Sequence, residues 1–232
     1  MDRNLFIERM ESIFQPISGR SGRTIYTPSK FWGSSFEILY LGFNPGGGIG
    51  ETIKDHWATM LNDPNLNNYW EAWPRPRHGF YPNGDAPLQR VYFGLRQALG
   101  GNEEKILGTN IVFDRSTDIS NLYIDPISKK ARDEYLSFIF SSLSFHKVII
   151  LGLDANNYLR ENIFNNESGS CSEQDTKQFL KKNKLRIWEG KYKENTFNCV
   201  CIPHPNPRLD SDYGSFDSSK FQLNINKILS YS

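Results

Sequence analysis

Two short segments, far apart in the chain, carry polar side chains in settings that suit chemistry better than packing. The first is LGFNPGGGIG at 41–50, where Asn44 follows an apolar run and precedes Pro45 and a set of glycines. The second is CVCIPHPNPRL at 199–209, where His204 stands between two prolines in a rigid turn. An amide can orient a water molecule, and an imidazole can donate a hydrogen bond to an atom that gains negative charge. The pair is typical of a hydrolytic site if the two loops meet.

Each segment also has a more ordinary explanation. Asn44 alone would cap the turn after its strand, and His204 alone would be a hydrogen-bonded loop histidine. A phosphate-binding loop is weakly supported, because Gly46, Gly48 and Gly50 do not form G-x-G-x-x-G and no Gly-Lys-Ser/Thr follows. The chain has no G-x-S-x-G elbow and no H-E-x-x-H helix, so no motif supports an unrelated α/β hydrolase or nucleotide enzyme.

Apolar runs and helical periodicities supply the elements that would position these loops. Strands are predicted at 36–42, 105–113, 146–153, 185–188 and 196–203, and helices at 3–14, 51–61, 87–99, 131–143, 154–164, 173–182 and 218–230. Asp154 is the expected cap of its helix. Strands that alternate with helices favour an α/β fold with a mostly parallel sheet covered on both faces. Ligands collect at the carboxyl ends of such strands, so the residues after Gly42, around Asn110 and after Ile202 are expected together.

These segments together resemble a known family. The strand-GFNPGGG segment is similar to the first motif of uracil-DNA glycosylases, and strand-HPNPRL is similar to their second motif. The nearest variant is the single-strand-selective monofunctional branch, whereas the thymine/mismatch-specific branch shares only the first motif. The resemblance covers about 35–210. It implies a single domain over 1–232, a three-layer α/β/α sandwich with a central, mostly parallel four-stranded sheet and an insertion at about 59–85.

The resemblance also implies a role for each matched residue. Asn44 would position the attacking water, His204 would stabilise the charge on the departing base, and Asn110 would hydrogen-bond the pyrimidine edge. Other base-binding candidates are Phe43, Pro45, Gly46, Gly47 and Trp57, and the second loop would hold DNA through Pro205, Asn206, Arg208 and Leu209. Trp57 would stack on the base, with His56, Phe43 and Phe80 as competitors. A core position on a helix is the more ordinary explanation of Trp57.

The implied activity is that of a monofunctional DNA glycosylase. Such an enzyme flips a uracil or a modified pyrimidine out of single- or double-stranded DNA and hydrolyses its N-glycosidic bond, leaving an abasic site. The reaction needs an oriented water and a donor that faces the leaving base, and neither requires a metal or another cofactor. The three segments contain no lysine that could form a Schiff base. The alternative is a non-catalytic protein that binds DNA or a modified base on the same fold.

Two departures from the family concern the choice of base. Uracil-selective members carry a bulky aromatic residue after the first-motif proline, where this chain has Gly46 and Gly47. The insertion interleaves Arg75, Arg77 and His78 with aromatic residues, which predicts either a DNA-binding patch, a widened pocket or a solvated loop. We therefore expect either uracil repair by base excision or removal of a larger modified pyrimidine in defence against phage.

Composition limits the other possibilities. With 27 basic and 26 acidic residues among 232, the charge balance argues against a protein that coats nucleic acid, and any DNA-binding surface must be a local patch. No apolar run reaches the ~18 residues of a membrane helix, and the start MDRNLFIERM, which carries acidic residues and no apolar h-region, does not resemble a signal peptide. The 3 cysteines are expected to be free thiols. We expect a cytoplasmic monomer without metal or membrane partner.

Glu51 and Asp55 are a further pair of acids, four residues apart on the predicted helix 51–61. They could help to activate water, although acids at this position more often favour a helix N-terminus.

Overall fold

The computed structural model describes residues 1–43, 50–75, 79–115, 125–164, 169–175, 186–202, 204 and 219–230. Six α-helices lie in this part of the chain: α1 (Arg3–Phe14), α2 (Ile53–Asn62), α3 (Pro87–Ala98), α4 (Pro126–Ser142), α5 (Leu153–Leu159) and α6 (Ser219–Ser230). The strands are β1 (Ile38–Gly42), β2 (Trp73–Arg75), β3 (Gly79–Tyr81), β4 (Ile106–Asn110), β5 (Lys147–Leu151), β6 (Gly169–Asp175), β7 (Arg186–Tyr192) and β8 (Asn195–Ile202). Among these described residues, no helix is both long and apolar enough to cross a membrane.

The main sheet is mixed and has the strand order β4-β1-β5-β8-β7-β6. The first four strands of this order run parallel, and β7 and β6 continue the sheet in antiparallel pairing. The α/β class and a mostly parallel centre are thus confirmed. The predicted number of four strands is wrong, because the polar segment β6 and the strand β7 extend the sheet to six.

Helices cover both faces of this sheet. In β1, Leu39 and Leu41 join a core cluster formed with α1, α2, α4 and α5, whereas Ile38 and Tyr40 join a second cluster formed with α3 and α6. This division follows from the two-residue period of a strand, which sends successive side chains to opposite faces. The strands β1, β4 and β5 are therefore buried on both sides, as their continuous apolar sequences require.

Local sequence signals explain where most helices begin. The Asp2 carboxylate caps α1, Thr52 and Asp55 form a capping box on α2, and Asp125 caps α4 one residue before Pro126. The cap predicted at Asp154 is wrong. Gly152, with φ 87°, occupies that position, and Asp154 lies in the first turn of α5. Glycine adopts this backbone conformation at little cost, so the chain turns into the helix directly from the strand.

The predicted helix at 173–182 is also incorrect at its start. Residues 169–175 form the edge strand β6, paired with β7 from Gly169↔Tyr192 to Asp175↔Arg186. Residues 176–185 lie outside the described part of the chain. The other predicted helices and strands are present, with ends shifted by a few residues.

Candidate functional site

The carboxyl ends of the four parallel strands form one edge of the sheet. Asn110 is paired with Gly42 across β4 and β1, and Leu151 is paired with Ile202 across β5 and β8. Neighbouring strands lie about 4.8 Å apart, so β1 and β8, which flank β5, end about 10 Å from each other. The loop that carries Asn44 and the turn that carries His204 therefore leave the sheet at the same edge.

Asn110 is buried at this edge, with 7% of its surface exposed. Its Nδ2 donates a hydrogen bond to the hydroxyl of Tyr26, at 3.0 Å. On the other side, its Oδ1 lies against Gly42 so closely that any Cβ at that position would collide with it. Gly42 is thus needed to leave room for the amide, and Asn110 is held in a defined place at the end of β4.

Tyr26 is a site residue that the sequence did not reveal. It lies in a segment beside β4, where its backbone N–H donates to the Gly108 carbonyl oxygen at 2.9 Å. Its ring centroid is 5.2 Å from that of Tyr69 and 6.1 Å from that of Trp73, which belongs to β2 of the insertion. Burial raises the pKa of Tyr26 to about 12, and the charges of two nearby arginines partly oppose this shift. The hydroxyl is therefore protonated at neutral pH.

Those two arginines belong to an ion cluster that adjoins the first loop. Arg23 pairs with Glu51 and, at 2.7 Å, with Glu71, while Arg115 contacts the same Glu51 carboxylate at 3.1 Å. The pairs are only partly exposed, so solvent screens them less than it screens surface pairs. Glu51 follows Gly50 directly, and the cluster thus anchors the far end of the loop that begins after Phe43.

The near end of this loop is also fixed. The Phe43 carbonyl oxygen accepts a hydrogen bond from the Val112 N–H at 2.7 Å, which extends the pairing of β1 with β4. Phe43 itself is partly buried against the core. The acids considered for water activation have other partners. Glu51 binds Arg23 and Arg115, and Asp55 accepts hydrogen bonds from Thr52 at the start of α2.

Trp57 and His56 both lie on the buried side of α2. The Trp57 ring stacks on Trp32 with centroids 4.4 Å apart, and its Nε1 donates to the Glu11 carboxylate. With 8% of its surface exposed, Trp57 is a core residue, and its predicted role in stacking on a base does not fit this position. His56 is 1% exposed, and its ring centroid lies 6.3 Å from that of Tyr26. Burial, together with the charges of nearby arginines, lowers the pKa of His56 to about 3.

His204 stands at the same sheet edge, beside the end of β5. Its Cβ is 3.4 Å from the position that a Cβ on Gly152 would take. The residue as a whole is exposed, but partial burial lowers the pKa of its imidazole, and the charge of Asp154 opposes this shift. An imidazole with a lowered pKa is neutral at pH ~7 and can donate a hydrogen bond.

The segment predicted as an insertion contains a short hairpin in which Trp73 pairs with Tyr81 and Arg75 pairs with Gly79. Phe80 is 68% exposed on this hairpin. Trp73 contacts the ring of Tyr26, whose hydroxyl binds the buried amide of Asn110, so the hairpin lies close to this amide. The basic part of the predicted patch stays a prediction, because the side chain of Arg75 and the residues Arg77 and His78 lie outside what the structure describes.

Several predicted site residues also lie outside the described part of the chain: Asn44, Pro45, Gly46, Gly47, Pro205, Asn206, Arg208 and Leu209. Within the described ranges, no group of three or more His, Cys, Asp or Glu residues could hold a metal ion. Cys199 and Cys201 are free thiols that point into the core from β8.

Comparison with models of known protein families gives no match. No curated protein is significantly similar to the chain.

Proposed function

We propose that this protein is a monofunctional DNA glycosylase with a uracil-DNA glycosylase-like fold. It flips a uracil or a modified pyrimidine out of DNA and hydrolyses the N-glycosidic bond. The observation that carries this proposal is the common sheet edge, where β1, which lies beside the buried amide of Asn110, and β8, which leads to His204, end about 10 Å from each other. That spacing suits a single nucleobase held between the two loops.

The chemistry follows from the charges that develop when the bond breaks. The sugar becomes cation-like and the base becomes anion-like, so the site must orient a water on one side and stabilise an anion on the other. Asn44 orients the water that attacks the sugar. His204, neutral because of its lowered pKa, donates a hydrogen bond to the departing base without first having to lose a proton. Asn110 hydrogen-bonds the pyrimidine edge while the water attacks the sugar and the base departs.

Extrusion of the base requires the protein to grip the backbone on either side of the flipped nucleotide. The second loop, with Arg208 and Leu209, enters the duplex or binds nearby phosphates. The hairpin of the insertion supplies a further contact through the exposed ring of Phe80. Because the chain is nearly neutral, these contacts are local and involve few phosphates, so we expect DNA binding to weaken only moderately with salt.

The proposal is tested by incubating the protein with single- and double-stranded oligonucleotides and scoring abasic sites by alkaline cleavage. The substrates carry uracil, thymine or a 5-substituted pyrimidine, and phage DNA with modified bases is included. The variants Asn44→Ala and His204→Ala should each lose most of the activity. The matched controls are Asn62→Ala and His146→Ala. Both residues are exposed, and His146 lies before β5 at the opposite edge of the sheet.

Cleavage by the wild-type protein that both active-site variants lose and both controls retain supports the glycosylase. Base-specific binding without any abasic product, unchanged in the two active-site variants, supports the non-catalytic binder instead. Neither cleavage nor DNA affinity on any substrate refutes the proposed function. Within the first outcome, the preferred base separates uracil repair from removal of modified phage bases.

A further inference from the structure

A cleft of about 580 Å³ lies between the hairpin of β2 and β3 and the C-terminal half of α3. Trp70, which precedes β2, and Gly84, which follows β3, border it on the hairpin side, and Phe93 and Arg96 border it on α3. α3 ends close to the beginning of β4, whereas Asn110 is the last residue of that strand. A strand of five residues spans about 15 Å, so the cleft is separate from the sheet edge of the candidate site.

The ring of Trp70 is exposed and yet held in a fixed orientation. It keeps 59% of its surface accessible. Its six-membered ring lies against the Cα of Gly84, where an added Cβ would come within 2.9 Å of it, and Gly84 has a φ of 79°, which glycine adopts at little cost. Phe93 meets the indole edge-on, with centroids 5.1 Å apart and an angle of 89° between the planes. These contacts orient the indole without covering it, so the rest of its surface is available to a ligand.

Trp70 also differs from the other tryptophans in its hydrogen bonding. Each of the others donates its indole N–H to a protein oxygen: Trp32, Trp57, Trp73 and Trp188. Among the described residues, the N–H of Trp70 has no acceptor. A tryptophan that is oriented by packing while its donor stays unused is typical of a binding residue, because its polar and apolar surfaces both remain open to a partner.

The charged groups that line the cleft are neutralised by their neighbours. Arg96 pairs with Glu103 at 2.9 Å, and its Nε donates to the carbonyl oxygen of the turn after α3. Asp85 pairs with Arg90 at 3.2 Å. The described lining of the cleft therefore carries no charge that is left without a counterion, and it favours an uncharged ligand over an ion.

We infer that this cleft is a binding site for an unpaired nucleobase, which stacks on Trp70 and hydrogen-bonds the exposed amides of Asn83 and Gln97. A nucleobase is flat and uncharged, and it carries donors and acceptors along its edge that a side-chain amide can match. A paired base inside a duplex has no free face, so the ring must come from single-stranded DNA or from a free nucleoside. The inference is independent of the proposed function, because the cleft shares no residue with the sheet edge.

The test is the quenching of 2-aminopurine fluorescence, which reports stacking of this base on an aromatic ring. The probes are 2-aminopurine riboside, a short uracil-free single strand that contains 2-aminopurine, and the same strand in a duplex. A purine is used because the proposed glycosylase site takes a pyrimidine. We expect Trp70→Ala to raise the Kd for an unpaired probe about tenfold, the effect of removing one stacking ring. Trp70→Phe keeps a ring but loses the N–H, and Gln97→Ala removes one amide, so each should raise the Kd about threefold. The matched control is Leu5→Ala, an exposed apolar residue on α1 at the other face of the sheet.

Quenching of either unpaired probe that Trp70→Ala weakens and Leu5→Ala preserves supports the inference, and the probe that binds identifies the source of the base. The inference is wrong if neither unpaired probe is quenched, if Trp70→Ala leaves the Kd unchanged, or if the duplex is bound as tightly as the single strand. The cleavage assay decides the proposed function separately. A protein that cleaves DNA without binding 2-aminopurine refutes only this inference, and one that binds 2-aminopurine through Trp70 without cleaving DNA leaves the inference standing.

Discussion

Replacing His56 with glutamine removes a buried imidazole whose protonation opposes folding. In the folded protein its pKa is about 3, compared with 6.5 for an ordinary histidine. Between these two values the unfolded chain binds a proton that the folded protein does not, so the free energy of unfolding falls as the pH decreases. The stabilisation is complete above pH ~6.5 and is lost progressively toward pH ~3.

The size of the effect follows from the shift. Each pH unit within this window costs about 1.4 kcal/mol, so lowering the pH from about 7.5 to about 4.5 should cost the wild-type protein about 2.7 kcal/mol through His56 alone. For a domain of this size that corresponds to a decrease in Tm of about 5–10 °C. The side chain is 1% exposed, so little of this effect is screened by solvent.

The assay is urea unfolding of the wild-type protein and of His56→Gln at four pH values across this range and at constant ionic strength. Carboxylates with lowered pKa values, such as Asp125 and Asp133, lose their stabilisation at lower pH and do so in both proteins. His204 is present in both proteins, so its titration changes their stability equally. The difference in the free energy of unfolding between the two proteins therefore reports on His56 alone. This difference should shrink or reverse as the pH falls. If the free energies of unfolding of the two proteins changed in parallel with pH, the assignment of a neutral, buried imidazole at His56 would be refuted.

Three further variants probe the sheet edge. Gly42→Ala should displace the Asn110 amide, costing about 1–3 kcal/mol of stability in urea unfolding and lowering the rate of base cleavage. Gly152→Ala places a side chain against His204 at a φ of 87°, so we expect a loss of about 1 kcal/mol or more and a lower cleavage rate. Glu51→Gln weakens the ion cluster that anchors the first loop, with a loss of about 1–2 kcal/mol and a raised KM for DNA.

Each variant has a counterpart elsewhere in the chain. Gly19→Ala adds a methyl group in open space, and Gly100→Ala imposes the same kind of backbone strain at φ 78° without a neighbour. Glu8→Gln changes an exposed acid on α1. If Gly100→Ala lowers the cleavage rate as much as Gly152→Ala does, the contact with His204 does not matter for catalysis. Equal KM values for Glu8→Gln and Glu51→Gln would contradict the anchoring of the loop.

The sequence predicted the α/β class and the sheet edge because the relevant signals are local. Apolar runs marked β1, β4, β5 and β8, and the parallel arrangement followed from the intervening helices. Asn110 could be found because it ends such a run. The edge strand β6, with the polar sequence GSCSEQD, carries no apolar period, and its pairing with β7 is a tertiary effect.

Tyr26 could not be predicted for a related reason. Its segment forms isolated bridges to β4 and to the residues after it, such as Ile25↔Thr109 and Gly22↔Asp114, more than eighty positions along the chain. Contacts between residues so far apart in the sequence leave no periodic pattern in either segment. The ion pairs of Arg23 are equally non-local, joining it to Glu51 and Glu71. Trp57 shows the opposite case, in which a helical position in the core was the simpler and correct explanation.

The contact between Trp73 and Tyr26 links the hairpin of β2 and β3 to the buried amide of Asn110, whereas His204 follows β8 of the sheet. In the proposed glycosylase, selectivity and bond cleavage therefore depend on different stretches of polypeptide. Changes in the hairpin can alter which base is accepted while Asn44 and His204 keep their positions. A division of this kind allows new substrate preferences to arise at the periphery of the molecule without rebuilding its reactive centre.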